Sequence, residues 1–185
     1  FNSISVDGDM STNDTVVFSS TGSTKLNMKN KSIETKFLSF ASNFFIKLSS
    51  LIVKDGEGAT KFIKLNVINA KSTILAQAVS KKLSSSILIK TAMFGKDPNW
   101  GRIIASIGSI ESNNIKPLNI ELMINNIVCF KNGVSVDNGS KRLEKSMRKN
   151  TIEITVDLNH GKHKQTMYFS DLSYDYVRIN SEYTT

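Results

Sequence analysis

From Ile33 to Val53 apolar side chains recur at the spacing of one helical face: Phe37, Phe40, Ala41, Phe44, Phe45, Leu48 and Ile52. Steps of three and four residues put them on one stripe wide enough to face a core, which predicts an amphipathic helix. Lys54, Asp55 and Gly56 close it, with a cation near the carbonyl end and a glycine just beyond. The period then changes to two. Between Phe62 and Asn69, Ile63, Leu65 and Val67 alternate with Lys64 and Asn66, as in a half-buried strand. Ile74, Leu75, Ala78 and Val79 return to helical spacing. Asp97-Pro98 has the form of a helix start, a capping carboxylate followed by proline, and Trp100, Ile103, Ile104 and Ile107 follow on one face. After Gly108 alternation resumes in Leu118, Ile120, Leu122 and Ile124, and again in Ile152, Ile154, Val156 and Leu158, with a loop at residues 137–140 between them. The opening residues, to about Phe18, also alternate from the first position, as if more chain preceded Phe1. Strand, helix and strand in succession predict mixed α/β layers.

Composition narrows this only a little. With 185 residues, 39% hydrophobic and 22% charged, the chain has material for one core, or for a core with a smaller companion. The net charge of +8 is spread among Asn, Ser and Ile and not gathered into a stripe, so it does not point to nucleic acid. Cys129 is the single cysteine and lies in the apolar run NNIVCF, which suits a small buried side chain in a reducing compartment. No run approaches the roughly 18 apolar residues that span a bilayer, and no signal pattern opens the chain; a soluble, cytoplasmic protein without a membrane partner is expected. No internal repeat is present.

Candidate chemistry is thin on the residues alone. Asp7 to Asp14, DGDMSTND, spaces oxygen ligands like a calcium loop, but Thr12 stands where the loop needs glycine and Phe18 where it needs glutamate. An acidic turn between two strands is expected there. His160 and His163 have no cysteine or carboxylate at ligand spacing and are expected in a hairpin loop. GEGATK lacks the glycine spacing of a phosphate loop. No metal and no nucleotide cofactor is indicated. Glu57, held between Gly56 and Gly58, is either an exposed loop carboxylate or a recognition group on a backbone that glycine lets approach a ligand.

Four stretches taken together are far more specific. VDGDMSTNDT (residues 6–15), KDGEGATK (54–61), KTAMFGKDPNWGR (90–102) and DLSYDYVRINSEYTT (171–185) occur in the order and spacing of the ornithine acetyltransferase family, the glutamate N-acetyltransferases of arginine biosynthesis, and the chain resembles most of that family's β chain. Met10 and Ser170 stand where threonine and cysteine are common in it. The resemblance implies an α+β chain: residues 1–60 as the remainder of a layered, N-terminal-nucleophile-type acyltransferase domain, and residues 61–185 as a smaller α/β domain. It implies a precursor that cuts itself before a threonine, which would lie upstream of Phe1, so no catalytic residue is named here and this piece alone is expected to be inactive. It further implies acetyl transfer from N-acetylornithine to glutamate through an acetyl-threonine, with acetyl-CoA left open as a second donor, and an α chain as partner in an α2β2 heterotetramer. The family's substrate contacts fall on Glu57, Asn180 and Thr185, with the tail NSEYTT ordered over the site. Arg102 is open between a structural and a substrate carboxylate. The alternatives are a self-cleaving amidase or aminopeptidase that passes the acyl group to water, and a binding module without catalysis.

Overall fold

In the computed structural model, which describes residues 1–112, 115–136 and 140–183, strand β2 (Phe62–Ala70) realises the alternation of its sequence. Ile63, Leu65 and Val67 are fully buried, while Lys64 and Asn66 on the opposite face reach Glu153. Strand β6 (Thr151–Asp157) does the same with Ile152, Ile154 and Val156. The two pair in parallel. On the other side of β2 lies β7 (His163–Ser170), antiparallel to it, and the short β1 (Ile4–Ser5) adds to β7 in parallel. Beyond β6 come β3 (Glu121–Ile124), β4 (Ile127–Lys131) and β5 (Val134–Ser135), all antiparallel. Among the described residues the sheet therefore has seven strands in the order β1-β7-β2-β6-β3-β4-β5. Two tight turns join its far edge: Asn125-Asn126 and Asn132-Gly133 all have positive φ, the geometry of primed hairpin turns, which asparagine and glycine tolerate.

Helices α2 (Thr73–Ser84), α3 (Ile87–Phe94) and α4 (Trp100–Gly108) supply the other layer of one hydrophobic core that runs from Ile63 to Phe169. Leu75, Ala76, Val79 and Leu83 of α2 are buried, as are Ile103 and Ile107 of α4, with Trp100 stacked on Phe130 at 5.6 Å. Cys129 is buried within the same core. The mixed α/β class expected from the sequence holds.

Several local expectations need correction. Ile74 and Ala78 face outward, because α2 turns Leu75 and Ala76 to the sheet. The cap of α4 is Asn99, whose side chain accepts from the Arg102 amide; Asp97 instead accepts from the Asn99 side chain, so the helix starts later than Asp97-Pro98 suggested. Leu118 is exposed in a single 3-10 turn at Pro117–Asn119, since proline there cannot donate to a strand ladder. Only Ile4–Ser5 of the opening stretch pairs with the sheet, and residues 7–30 form neither strand nor helix. The acidic turn thus has no second strand after it. The segment carrying His160 is no hairpin loop: β6 and β7 are separated by β2, and the connection crosses its end, where Leu158 and His160 donate to the Ile68 and Asn69 carbonyls. Of the loop expected at residues 137–140, residues 137–139 lie outside the described residues, and Ser140 caps α5 (Lys141–Ser146).

Helix α1 (Lys31–Lys54) forms as its period predicts, capped by Asn30. Its apolar stripe, however, finds no core within the described residues: only Ser49 and Val53 are buried, Phe40 is 69% exposed and Phe44 is 48% exposed. Phe40 and Phe44 stack on one another at 6.2 Å, and Phe45 meets the ring of Phe18. By length and composition alone α1 would also suffice to cross a bilayer, contrary to the expectation from the sequence.

Candidate functional site

The loop between α1 and β2 carries Glu57, and both flanking glycines are fixed by packing. Gly58 has φ +63°, and a β-carbon there would lie 2.4 Å from the Tyr176 backbone nitrogen; one on Gly56 would lie 2.9 Å from Val6. The glycines admit other parts of the chain where the sequence suggested the approach of a ligand. What comes close is the start of α6 (Tyr174–Glu182), capped by Ser173, whose hydroxyl accepts from the Tyr176 amide and donates to the Gly58 carbonyl.

Two turns along α6, the Asn180 side-chain amide donates to a carboxylate oxygen of Glu57 at 2.9 Å and to the Tyr176 carbonyl at 3.0 Å. The structure thus joins two of the three residues implied by resemblance, across 123 positions of sequence. Thr185, like Thr184, lies outside the described residues; α6 orders the tail through Glu182. Glu57 and Asn180 are both exposed, so the pair is open to a small molecule.

Carboxylates border this pair. The Tyr176 hydroxyl donates to Asp7 at 3.3 Å. Burial, followed by the negative charge of Asp7, pushes the Tyr176 phenol above its ordinary range, and Asp9 and Glu57 add to the effect. The phenol stays protonated and available as a donor. A carboxylate steered by an amide, with further carboxylates nearby, suits a ligand carrying an ammonium group. Among the described residues, no three of His, Cys, Asp or Glu are grouped to hold a metal ion.

Sequence reasoning passed over Lys90, which is 1% exposed. Its ammonium donates to the Ser170 carbonyl and lies 5.4 Å from the centre of the Phe169 ring. Burial holds its pKa down to about 8, with the Asp171 and Asp7 carboxylates pulling it upward. Placed among Ile87, Leu88, Ile89 and Met93, it reads as the polar position of an apolar helix, and only its place in KTAMFGKDPNWGR marks it. Arg102 meets neither kind of carboxylate among the described residues: it donates to the Leu88 carbonyl at 2.8 Å and to the Thr91 hydroxyl, fastening α4 to α3. An open groove of about 570 Å³ beside it includes neither Glu57 nor Asn180 in its lining. His163 pairs with the Thr73 hydroxyl at 3.1 Å.

Comparison with known proteins places this geometry in a wider set. The ArgJ family profile matches residues 1–185. The arginine biosynthesis bifunctional protein ArgJ of Geobacter sulfurreducens is 40% identical over 188 residues, covering 100% of this chain and 48% of the relative. The glutamate N-acetyltransferase of Methanocaldococcus jannaschii is 42% identical over 195 residues, covering 100% and 47%. The chain spans about half the length of the curated relatives it matches. The crystal structure of arginine biosynthesis bifunctional protein ArgJ from Bacillus halodurans superposes with a TM-score of 0.90 at 35% identity, over 99% of this chain and 87% of that one. With so little of the chain left out, α1 belongs to the shared fold.

Proposed function

This chain belongs to the ArgJ family, and from that premise we propose that it is the substrate-orienting part of a glutamate N-acetyltransferase, moving acetyl from N-acetylornithine to glutamate. The observation that carries this reading is the hydrogen bond between Asn180 and Glu57. An amide that fixes one carboxylate oxygen turns the carboxylate as a whole, so a substrate ammonium meets a prepared acceptor.

The chemistry belongs to a threonine in the part of the relatives' length that this chain does not span. Its hydroxyl oxygen, relieved of its proton by the threonine's own α-amino group, attacks the acetyl carbonyl carbon of N-acetylornithine. The C–N bond breaks, ornithine leaves with the proton, and an acetyl ester remains. The glutamate amine then attacks the ester carbonyl, the C–O bond breaks, the amine's proton passes to the threonine oxygen, and N-acetylglutamate and the free threonine hydroxyl result. No metal or nucleotide enters this sequence. Glu57 and Asn180, with Thr185, hold the amino-acid part of each substrate while bonds change at the acetyl group.

The upstream half, an α chain cut from the same precursor, is the proposed partner, with two copies of each in the assembly. The uncovered stripe of α1 supports an apolar partner surface. A division near residue 60 is part of the same proposal: the core cluster draws on residues from Ile63 onward, and residues 1–60 join that body through β1 on β7 and the ties of Val6 and Thr60. The cytoplasm is the proposed compartment.

Glu57→Gln in the full-length, self-processed protein should raise the KM for N-acetylornithine roughly tenfold, the scale of one lost charge-assisted hydrogen bond. Unchanged kinetics would refute the role of Glu57. Removing Thr184 and Thr185 should abolish most transfer while the protein still folds, and an active truncation would exclude the tail from the site. Product analysis in the same assay separates N-acetylglutamate from the free acetate a hydrolase would release, and substituting acetyl-CoA for N-acetylornithine tests the second donor.

A further inference from the structure

Five polar side chains are buried where β7 runs into α6: Lys61, Lys90, Ser170, Asp171 and Ser173. Burial is costly for such groups unless each is partnered: the Lys61 ammonium donates to the Arg148 and Lys149 carbonyls, and the other four are tied across the segments that meet here. One Asp171 oxygen accepts from the backbone amides of Thr60 and Lys61, both at 2.8 Å, and the other accepts from the Thr60 hydroxyl at 2.5 Å. Ser173 holds the Gly58 carbonyl at 2.6 Å. Lys90 brings α3 to the same place through Ser170, and Ser170 in turn donates to the Val6 carbonyl.

The ties have a direction. Asp171 and Ser173 grip residues 58, 60 and 61, immediately after Glu57, and they sit at the root of the helix that carries Asn180. The separation of Glu57 from Asn180 is set by how tightly the loop is drawn to that root. We propose that Asp171 is a positioning residue: it fastens the Glu57 loop to the base of α6, so that the Glu57 carboxylate meets the Asn180 amide before substrate arrives. This rests on the reading of Glu57 as a substrate contact given above.

The side-chain type follows from the geometry. Three donors converge on two oxygens, which a carboxylate accepts without rearrangement. Asparagine retains an acceptor for the two backbone amides and can donate to the Thr60 hydroxyl, whereas alanine orphans all three donors and frees the loop. A shift of about 1 Å in an orienting group is enough to weaken substrate capture severely.

The test is a double-mutant cycle in the full-length, self-processed enzyme, with KM and kcat measured for N-acetylornithine and glutamate. Asp171→Ala should raise KM roughly tenfold, as Glu57→Gln does, with kcat largely preserved. Asp171→Asn should recover most of the loss. The variant carrying both Asp171→Ala and Glu57→Gln should match Glu57→Gln alone, because a residue that acts through Glu57 has nothing left to position. Should Asp171→Ala not fold, Thr60→Val removes a single tie and enters the same cycle in its place. Wild-type KM in Asp171→Ala, or in Thr60→Val when it stands in, overturns the proposal. So does an effect that multiplies with that of Glu57→Gln, which marks an independent structural role. Wild-type KM in Glu57→Gln itself overturns the underlying reading of the site and this inference with it.

Discussion

Lys90 shows how much a single position can hide. Its ammonium is buried, and its pKa falls to about 8 from 10.5 because burial disfavours the charge, against the pull of Asp171 and Asp7. Between those two values the unfolded chain binds more protons than the folded one, so the stability this group contributes rises with pH across that window. Replacing Lys90 with Met removes the titration. Denaturation of wild type and Lys90→Met should therefore diverge in favour of wild type as pH goes from about 8 to about 10; a constant difference would mean that Lys90 titrates like an exposed lysine. Neither its burial nor the pairing of Glu57 with Asn180 can be read from periodicity, since both depend on segments far apart in the chain. Family resemblance supplied Glu57 and Asn180 as candidates, but not that they touch. Gly58 was legible as a special position, though its reason was not: the close neighbour is the first turn of α6.

Elements were most legible where one face meets the core and the other meets solvent. That is why β2, β6 and α4 stand close to where their patterns put them, and why α3 went unmarked: with Ile87, Leu88, Ile89, Ala92 and Met93 around its axis it has no contrasting stripe to read. Ends are set by single hydrogen bonds, which hydropathy does not register. At α4 the Asn99 side chain satisfies the Arg102 amide, and the helix in turn carries Arg102 to the carbonyl of Leu88. Asn99→Ala should cost about 1 kcal/mol, measured by chemical denaturation, as is usual for a lost N-cap. Asp97→Ala should cost less, because its carboxylate accepts, among the described residues, from the Asn99 side chain and from no backbone amide of the helix. Equal losses would make Asp97 a full member of the cap.

At the scale of the molecule, the apolar face of α1 is where the proposed partner can be tested. Phe40 is the sharpest probe, being 69% exposed here and stacked on Phe44. If the upstream half covers it, Phe40→Ala in the full-length protein should cost roughly 3 kcal/mol or more, the usual loss for a buried phenylalanine. A solvent-facing position would move stability by no more than about 0.5 kcal/mol. The order of the sheet carries a consequence for synthesis. The strand β2 at its heart is bordered by β6 and β7, so Lys64 meets Glu153 across 89 positions and Thr60 meets Asp171 across 111. A ribosome that has released β2 works for roughly 5 to 20 s before both neighbours emerge. Until β6 emerges, the nascent chain displays both edges of β2 unpaired beside the apolar face of α1, the kind of transient exposure that makes a chain prone to aggregate.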